Sequence, residues 1–219
     1  MAEPDQRSPL PVVVLISGNG SNLQAMIDGM QAGTLPIEIR AVISNRPGVY
    51  GLERAQQAAI SAVVVDHKAY PDRRAFDEAL QKRIDEFSPG LVVLAGFMRI
   101  LTPEFVRHYA GRMLNIHPSL LPEFTGLNTH QRVLDAGRGE HGVSVHFVTA
   151  DLDGGPVVAR SKVDVTSDDD AQSLAHKVQS KEHRLYPAVV AMYAEGRLTA
   201  DGSVVSLDGI PLTKPVDID

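Results

Sequence analysis

An asparagine and a histidine stand two positions apart at the end of the apolar stretch at residues 113–117. Side chains two residues apart on a β-strand share a face, so Asn115 and His117 are expected to project together. An amide N–H donor beside an imidazole can stabilise an oxygen atom that gains negative charge during a reaction. The pattern therefore indicates an oxyanion-binding pair at the end of a strand.

Such a pair needs a carboxyl group to orient or charge the imidazole. The segment DLDGG at residues 151–155 offers Asp151 and Asp153 on a turn after an alternating strand pattern. A structural interpretation stays open, because a lone histidine at a strand end more often satisfies nearby polar groups.

The other histidines carry no motif of their own. His146 alternates with apolar neighbours on a predicted strand, and it is either a packed core residue or a partner of the reactive groups. Ordinary packing or surface roles are expected for His67, His108, His130, His141, His176 and His183.

A glycine loop, SGNGSN at residues 17–22, stands between the first apolar run and the first helical pattern. Gly18 and Gly20 permit a tight turn, and the N–H groups that open the helix suit a phosphate. A strand-to-helix turn needs glycine and a cap (Ser21 or Asn22) in any case. The loop lacks the third glycine of the dinucleotide fingerprint, the acid that would bind a ribose hydroxyl, and the Walker lysine. A phosphate monoester is the predicted ligand.

Strands and helices alternate through the first half of the chain, which predicts an α/β fold with a parallel sheet. Strands are predicted at 12–16, 37–44, 62–65, 91–96 and 112–117. Helices are predicted from Leu23 to Met30, at 51–59, at about 73–87 and from Thr102, whose hydroxyl precedes a proline.

The second half changes in pattern. Strands at 142–149 and 156–165 predict an antiparallel extension of this Rossmann-like, mostly parallel sheet with flanking helices. A long helix is expected to open at residues 166–168 and to kink or end at Pro187. We expect one domain over 1–219, with a flexible tail at 1–10 and a small C-terminal extension, partly a hairpin, at 199–219.

Composition restricts the function classes. The 219 residues include no cysteine, which excludes disulfides, thiolate metal sites and a cysteine nucleophile. A formal net charge of −6 disfavours nonspecific binding to nucleic acid or to a membrane surface. No signal peptide or membrane span is predicted, so a cytoplasmic protein is expected. No cluster of metal ligands is evident, and no metal is expected.

Five segments together resemble the phosphoribosylglycinamide formyltransferase family, folate-dependent enzymes of purine synthesis. They are VVVLISGNGSNLQA, LVVLAGFMRIL, LNIHPSLLP, HGVSVHFVT and DLDGGPV, in order from about residue 12 to 198. The Asn-x-His with SLLP and the later Asp-Gly-Gly are typical of folate-dependent formyltransferases in general. The SGNGSN loop with GFMRIL is similar to the glycinamide ribonucleotide branch.

The resemblance implies transfer of the formyl group of 10-formyltetrahydrofolate to the amine of glycinamide ribonucleotide. It assigns oxyanion stabilisation to Asn115 and protonated His117, and proton transfer to Asp153. It implies that the nucleotide binds at Gly20, Ser21, Asn22, Arg73, Gln179 and Glu182, with Arg73 on the phosphate and Glu182 on the amine. It implies that the reduced folate binds at Met98, Arg99, Ile100, Leu101, Asn115 and Asp153.

The chain departs from the family pattern just after SLLP. A basic residue, a proline and a histidine are common there, and Glu123, Thr125 and Asn128 replace them. Since this loop lies near the substrates in the family, its ordering and pH response are in question.

Several alternatives stay open. Within the class they are methionyl-tRNA formyltransferase, a sugar-nucleotide formyltransferase and formyltetrahydrofolate hydrolase. The first is disfavoured by the acidic end PVDID, and the hydrolase by the short segment before the first strand. Outside the class, an NAD-dependent oxidoreductase is disfavoured by the glycine pattern. A non-catalytic nucleotide-binding module is not excluded, and neither is a homodimer.

Overall fold

The computed structural model describes residues 8–219, with eleven strands and six α-helices among them. The strands are β1 (Leu10–Ile16), β2 (Ile37–Ser44), β3 (Ser61–Val64), β4 (Leu91–Leu94), β5 (Met113–His117), β6 (Glu140–Phe147), β7 (Val157–Asp164), β8 (Leu198–Asp201), β9 (Val204–Leu207), β10 (Ile210–Pro211) and β11 (Val216–Asp217). The helices are α1 (Ser21–Gln31), α2 (Tyr50–Gln57), α3 (Arg73–Asp85), α4 (Pro103–His108), α5 (Thr129–Asp135) and α6 (Ala171–Ala194). Of the expected N-terminal tail, residues 1–7 lie outside the described part, and Leu10 already belongs to β1.

The main sheet contains eight strands in the order β11-β7-β6-β5-β4-β1-β2-β3. The pairs from β5 to β3 are all parallel, whereas β6 is antiparallel to both β5 and β7. This confirms the predicted α/β class and its antiparallel extension. The carboxyl ends of β1, β2, β4 and β5 meet at one edge, where ligands bind in such sheets.

Helices cover both faces of the sheet. Strand β1 is buried on both faces, which explains its apolar sequence. Val12, Val14 and Ile16 pack on one face with residues of α1 and α6, whereas Val13 and Leu15 pack on the other with residues of α3 and α4. A strand buried on both faces reads as a continuous hydrophobic run. The two layers matter for the site, because α1 and α6 lie on the opposite face from α3.

Helix α6 begins later than predicted. The Asp170 carboxylate accepts the Ser173 N–H at 2.7 Å, and the Ser173 hydroxyl accepts the Asp170 N–H at 3.1 Å, which forms a capping box. The expected start at Thr166 is wrong, because the Thr166 N–H and hydroxyl both donate to the Asp169 carboxylate and form a turn. Pro187 does not end the helix, which continues to Ala194.

The C-terminal residues form more than the predicted hairpin. Strands β8 and β9 do pair in antiparallel fashion, and β10 adds to them as a third strand. Strand β11 then returns to the main sheet and pairs in parallel with β7. Neither β11 nor α5 was predicted. Within residues 8–219, no helix is long and apolar enough to cross a membrane.

Candidate active site

The glycine loop, residues 17–22, runs from β1 into α1 at the carboxyl edge of the sheet. Gly20 precedes the helix with φ 74°, and a Cβ atom there would lie 2.9 Å from the Cα of Gly51 in α2. Only glycine satisfies both conditions without strain. The alternative in which Ser21 or Asn22 caps the helix is not observed, since Gly20 is the N-cap residue and no side-chain cap bond forms within the described residues. The first N–H groups of α1 therefore lack a side-chain partner and can bind an anion.

Helix α6 contributes two side chains to this loop. Asn22 Nδ2 donates to Glu182 Oε2 at 2.8 Å, and Gln179 Nε2 donates to Ser21 Oγ at 3.1 Å. Burial raises the pKa of the Glu182 carboxyl, and the bond from Asn22 opposes that shift. The Asn22 Oδ1 atom is buried and has no hydrogen-bond partner among residues 8–219, so it is available to a ligand donor. Four of the predicted nucleotide residues thus lie together.

Arg54 of α2 hydrogen-bonds to the same loop, and the sequence patterns did not predict this contact. Its guanidinium donates to the carbonyl and side-chain oxygens of Asn19 and to Gln24 Oε1, each at 2.9 Å. It also lies 4.5 Å from the centre of the Tyr50 ring. A cavity of about 460 Å³ opens beside Arg54 and Ser21. No sequence pattern predicts that α2 contacts the glycine loop, because the pairing of β2 with β1 is what brings α2 next to the loop.

The trio of Asn115, His117 and Asp153, which the sequence predicts to be catalytic, lies at one end of the site. Asn115 and His117 lie on β5, and Asp153 lies in the turn after β6. His117 Nδ1 is 3.5 Å from Asp153 Oδ2, and both side chains are only 8% exposed. His117 Nε2 is 2.9 Å from the carbonyl oxygen of Phe124. Because both ring nitrogens face acceptors, the pocket accommodates an imidazolium.

Asp153 is fixed by the loop at residues 123–128. It adopts a left-handed backbone conformation with φ 51°, and its Oδ2 accepts the Gly126 N–H at 2.9 Å. The loop therefore contacts His117 through the Phe124 carbonyl and Asp153 through a backbone N–H. Side chains take little part in these contacts. This explains how the loop tolerates its unusual residues, of which Glu123 forms a 2.9 Å ion pair with Arg138.

His146 is a partner of the trio rather than a packing residue alone. It lies opposite Asn115 in the β5–β6 pair, with its Nε2 3.1 Å from Asn115 Nδ2. Its Nδ1 lies 2.9 Å from the Phe147 carbonyl oxygen, so Nδ1 carries the proton. Burial lowers the pKa of His146, which favours a neutral ring with Nε2 as an acceptor, while Asp153, whose Oδ1 lies 3.9 Å from Nε2, opposes that shift. His146 thereby fixes the orientation of the Asn115 amide.

A second cavity lies beside the trio, at the end predicted for the folate. Residues 99–101 and 148–153 line it together with Asn115 and His146. Its walls combine apolar side chains with Arg99, whose Nε atom is buried and has no partner in the described residues. Met98 does not line this cavity, and its side chain is 59% exposed. A flat aromatic ligand with hydrogen-bonding edges suits such a lining.

Arg73 lies apart from the other predicted nucleotide residues. It opens α3, on the opposite face of the sheet from α1 and α6. Its charge acts with that of Arg99 on Asp77, although burial outweighs both and raises the pKa of that carboxyl. No described contact joins Arg73 to the glycine loop. Among residues 8–219 there is also no group of three or more potential metal ligands.

Comparisons with known proteins agree with this geometry. Residues 10–190 match the family model described as formyl transferase. The chain is 52% identical to phosphoribosylglycinamide formyltransferase of Escherichia coli over 90% of this chain and 93% of the relative. It is 43% identical to the Haemophilus influenzae enzyme of that name, over 93% and 96%. The solved structure of the Coxiella burnetii phosphoribosylglycinamide formyltransferase superposes with a TM-score of 0.93 at 55% identity, covering 96% and 100% of the two chains.

Proposed function

The chain belongs to the formyl transferase family, and we propose that it transfers the formyl group of 10-formyltetrahydrofolate to the amine of glycinamide ribonucleotide in de novo purine biosynthesis. Relatives that match it over nearly their whole length carry the name of this activity. The observation that carries the proposal is the meeting of Asn115, His117 and Asp153 at the sheet edge that also holds the glycine loop.

The glycine loop and α6 bind the nucleotide in this proposal. The backbone N–H groups of Gly20, Ser21 and Asn22 receive the phosphate at the positive end of α1. Gln179 lies against Ser21 and contacts the same part of the ligand. Glu182, a half-buried carboxylate already paired with Asn22, accepts a hydrogen bond from the substrate amine.

The folate binds at the second cavity and supplies the formyl group. Its ring system lies against residues 99–101 and the turn that contains Asp153. The unpartnered Nε of Arg99 gives it a hydrogen-bond donor. Arg73 opens α3, on the opposite face of the sheet from α1 and α6, which supports a role at this end rather than on the phosphate.

The trio stabilises the charge that develops during transfer. When the amine attacks the formyl carbon, the carbonyl oxygen gains negative charge, and the Asn115 amide and the His117 imidazolium hydrogen-bond to it. His117 keeps its second N–H on the Phe124 carbonyl or on Asp153. Asp153 balances the imidazolium charge and, through a water molecule, helps to move a proton from the amine to the folate nitrogen, which departs as its bond to the formyl carbon breaks. One oxyanion donor of this kind contributes about 2.7–4 kcal/mol.

The partners in this proposal are the two small substrates. Neither nucleic acid nor a membrane is involved, the reaction takes place in the cytoplasm, and no metal takes part. A homodimer is compatible with the proposal but is not required by it.

An absorbance assay of folate deformylation tests the proposal. Purified protein is mixed with 10-formyltetrahydrofolate, with and without glycinamide ribonucleotide. Turnover that depends on the nucleotide is the expected result. Equal turnover without the nucleotide would identify a hydrolase, and no turnover in either mixture would rule out this pair of substrates.

A further inference from the structure

A single buried hydroxyl joins the two ends of the site. Ser17 is the first residue of the glycine loop and is 4% exposed. Its hydroxyl donates to Asn45 Oδ1 at 2.6 Å and accepts the Met98 N–H at 2.7 Å. Its own N–H donates to the Gly96 carbonyl at 3.1 Å. Ser17 is therefore bonded both to the residue after β2 and to the segment that enters residues 98–101.

The acceptor that Ser17 uses is itself fixed. Asn45 is 1% exposed, and its side-chain Nδ2 lies 3.2 Å from His67 Nδ1. Its backbone carbonyl oxygen accepts the His67 N–H at 3.3 Å and lies 2.7 Å from His67 Nδ1. Neither the Asn45 side chain nor the Ser17 hydroxyl can rotate away without leaving a buried polar group unpaired. The chain of bonds from His67 through Asn45 and Ser17 to Met98 is thus a rigid connection.

We infer that Ser17 is a positioning residue that holds the folate segment, residues 98–101, at a fixed distance from the glycine loop. The inference rests on the proposed function, in which these two parts bind the two substrates. Attack requires the amine and the formyl carbon to approach within about 3–3.5 Å, so a small shift of one binding segment lowers the rate. The phosphate is bound by backbone N–H groups later in the loop, and the Ser17 hydroxyl takes no part in binding it.

Ser44 provides a matched control. It is also a fully buried serine at the end of a strand, with two short hydrogen bonds to its hydroxyl. Both of those bonds go to the backbone of Arg46, at 2.7 and 3.0 Å, so they stay within one segment. Removal of the Ser44 hydroxyl therefore costs local stability without separating the two substrate segments.

The test begins with nucleotide-dependent turnover of the wild-type protein, because failure at that step concerns the proposed function and not Ser17. In Ser17→Ala, kcat is expected to fall about tenfold and the KM for 10-formyltetrahydrofolate to rise about tenfold. The Kd of glycinamide ribonucleotide, measured by calorimetry, is expected to stay within about twofold. Ser44→Ala should leave all three constants within about twofold at a similar loss of Tm.

Two results would overturn the inference. One is that Ser17→Ala keeps kcat and the folate KM near the wild-type values. The other is that Ser44→Ala changes them equally, which would reduce the effect to stability. Should Ser17→Ala fail to fold, Ser17→Cys replaces it, because a thiol occupies similar space and hydrogen-bonds only weakly. The same change in kcat and folate KM, with an unchanged nucleotide Kd, is expected for that variant.

Discussion

At the proposed nucleotide end of the site, the proposed binding groups are mostly backbone N–H groups of a few consecutive residues. At the proposed catalytic end they are side chains from distant parts of the chain. The glycine loop obtains its shape from Gly20 and from the contact with α2. The catalytic end combines β5, the partner strand β6 and the turn that carries Asp153. A backbone site is therefore sensitive to changes of conformation, and a side-chain site is sensitive to loss of a chemical group.

The largest effect is expected at the catalytic end. His117→Ala should lower kcat by about 100- to 1,000-fold, because a charged donor to the oxyanion is lost. Nucleotide Kd should stay unchanged, which calorimetry can measure. His108→Ala is the matched control, since His108 also pairs with a carboxylate, Asp85, at 3.0 Å but on the surface. A parallel loss of nucleotide binding in His117→Ala would contradict the separation of the two ends.

A change of conformation should matter most at the nucleotide end. Gly20→Ala places a Cβ 2.9 Å from the Gly51 Cα at a positive φ, so the loop must shift. Strain of about 1–3 kcal/mol is expected to appear as nucleotide binding weakened by about 10- to 100-fold. Gly18→Ala serves as the control, because nothing lies within 4 Å of its added Cβ. Equal effects of the two substitutions on the nucleotide Kd would refute the conformational explanation.

Glu182 gives the nucleotide end a pH dependence. Its carboxyl pKa is raised by burial, so protonation begins above the usual value for glutamate. Affinity for the cationic amine should therefore reach its full value at a pH above that raised pKa. It should fall as the pH drops through the pKa and Glu182 is protonated. Glu182→Gln should weaken nucleotide binding by about tenfold near neutral pH and flatten the profile. A profile as steep as that of the wild type would assign the titration to another group.

His146 should act on kcat through Asn115. In His146→Leu the Asn115 amide loses the acceptor that orients it, and kcat is expected to fall about tenfold with little change in either KM. His146→Gln retains an acceptor oxygen and should recover part of the rate. Steady-state kinetics of both variants decide the matter. Identical rates in the leucine and glutamine variants would indicate that the histidine only packs.

Substitution of Arg73 should have the smallest effect. The substrate whose constant changes shows to which end of the site Arg73 belongs. Arg73→Ala is expected to raise the KM for the folate about three- to tenfold and to leave the nucleotide Kd unchanged, as for one partly exposed charge. Direct titration with glycinamide ribonucleotide provides the comparison. A weaker nucleotide Kd with an unchanged folate KM would restore the original assignment of Arg73 to the phosphate.

Local patterns predicted the elements well where burial dictates composition. Strand β2 was predicted at its observed bounds, because its apolar residues alternate with the exposed Glu38 and Arg40 before the strand ends in a buried stretch. The start of α6 was misplaced because Thr166, Ser167 and Asp168 are all good capping residues. The Asp169 carboxylate accepts the Thr166 N–H and forms a turn, and the Asp170 carboxylate caps the helix that follows. Short elements such as β11 carry no pattern of their own and form only by pairing with β7.

The sequence by itself determined that Asn115 and His117 share one face, since the side chains of a strand alternate with a period of two residues. It also predicted that the glycine loop binds an anion. Tertiary structure alone decided what surrounds them. The pairing of β5 with β6 brings His146 to Asn115, the turn after β6 brings Asp153 to His117, and the contact of α2 with the loop brings Arg54 to Asn19. Side-chain periodicity is a property of one segment, whereas the partner of a polar group depends on which distant segment packs against it.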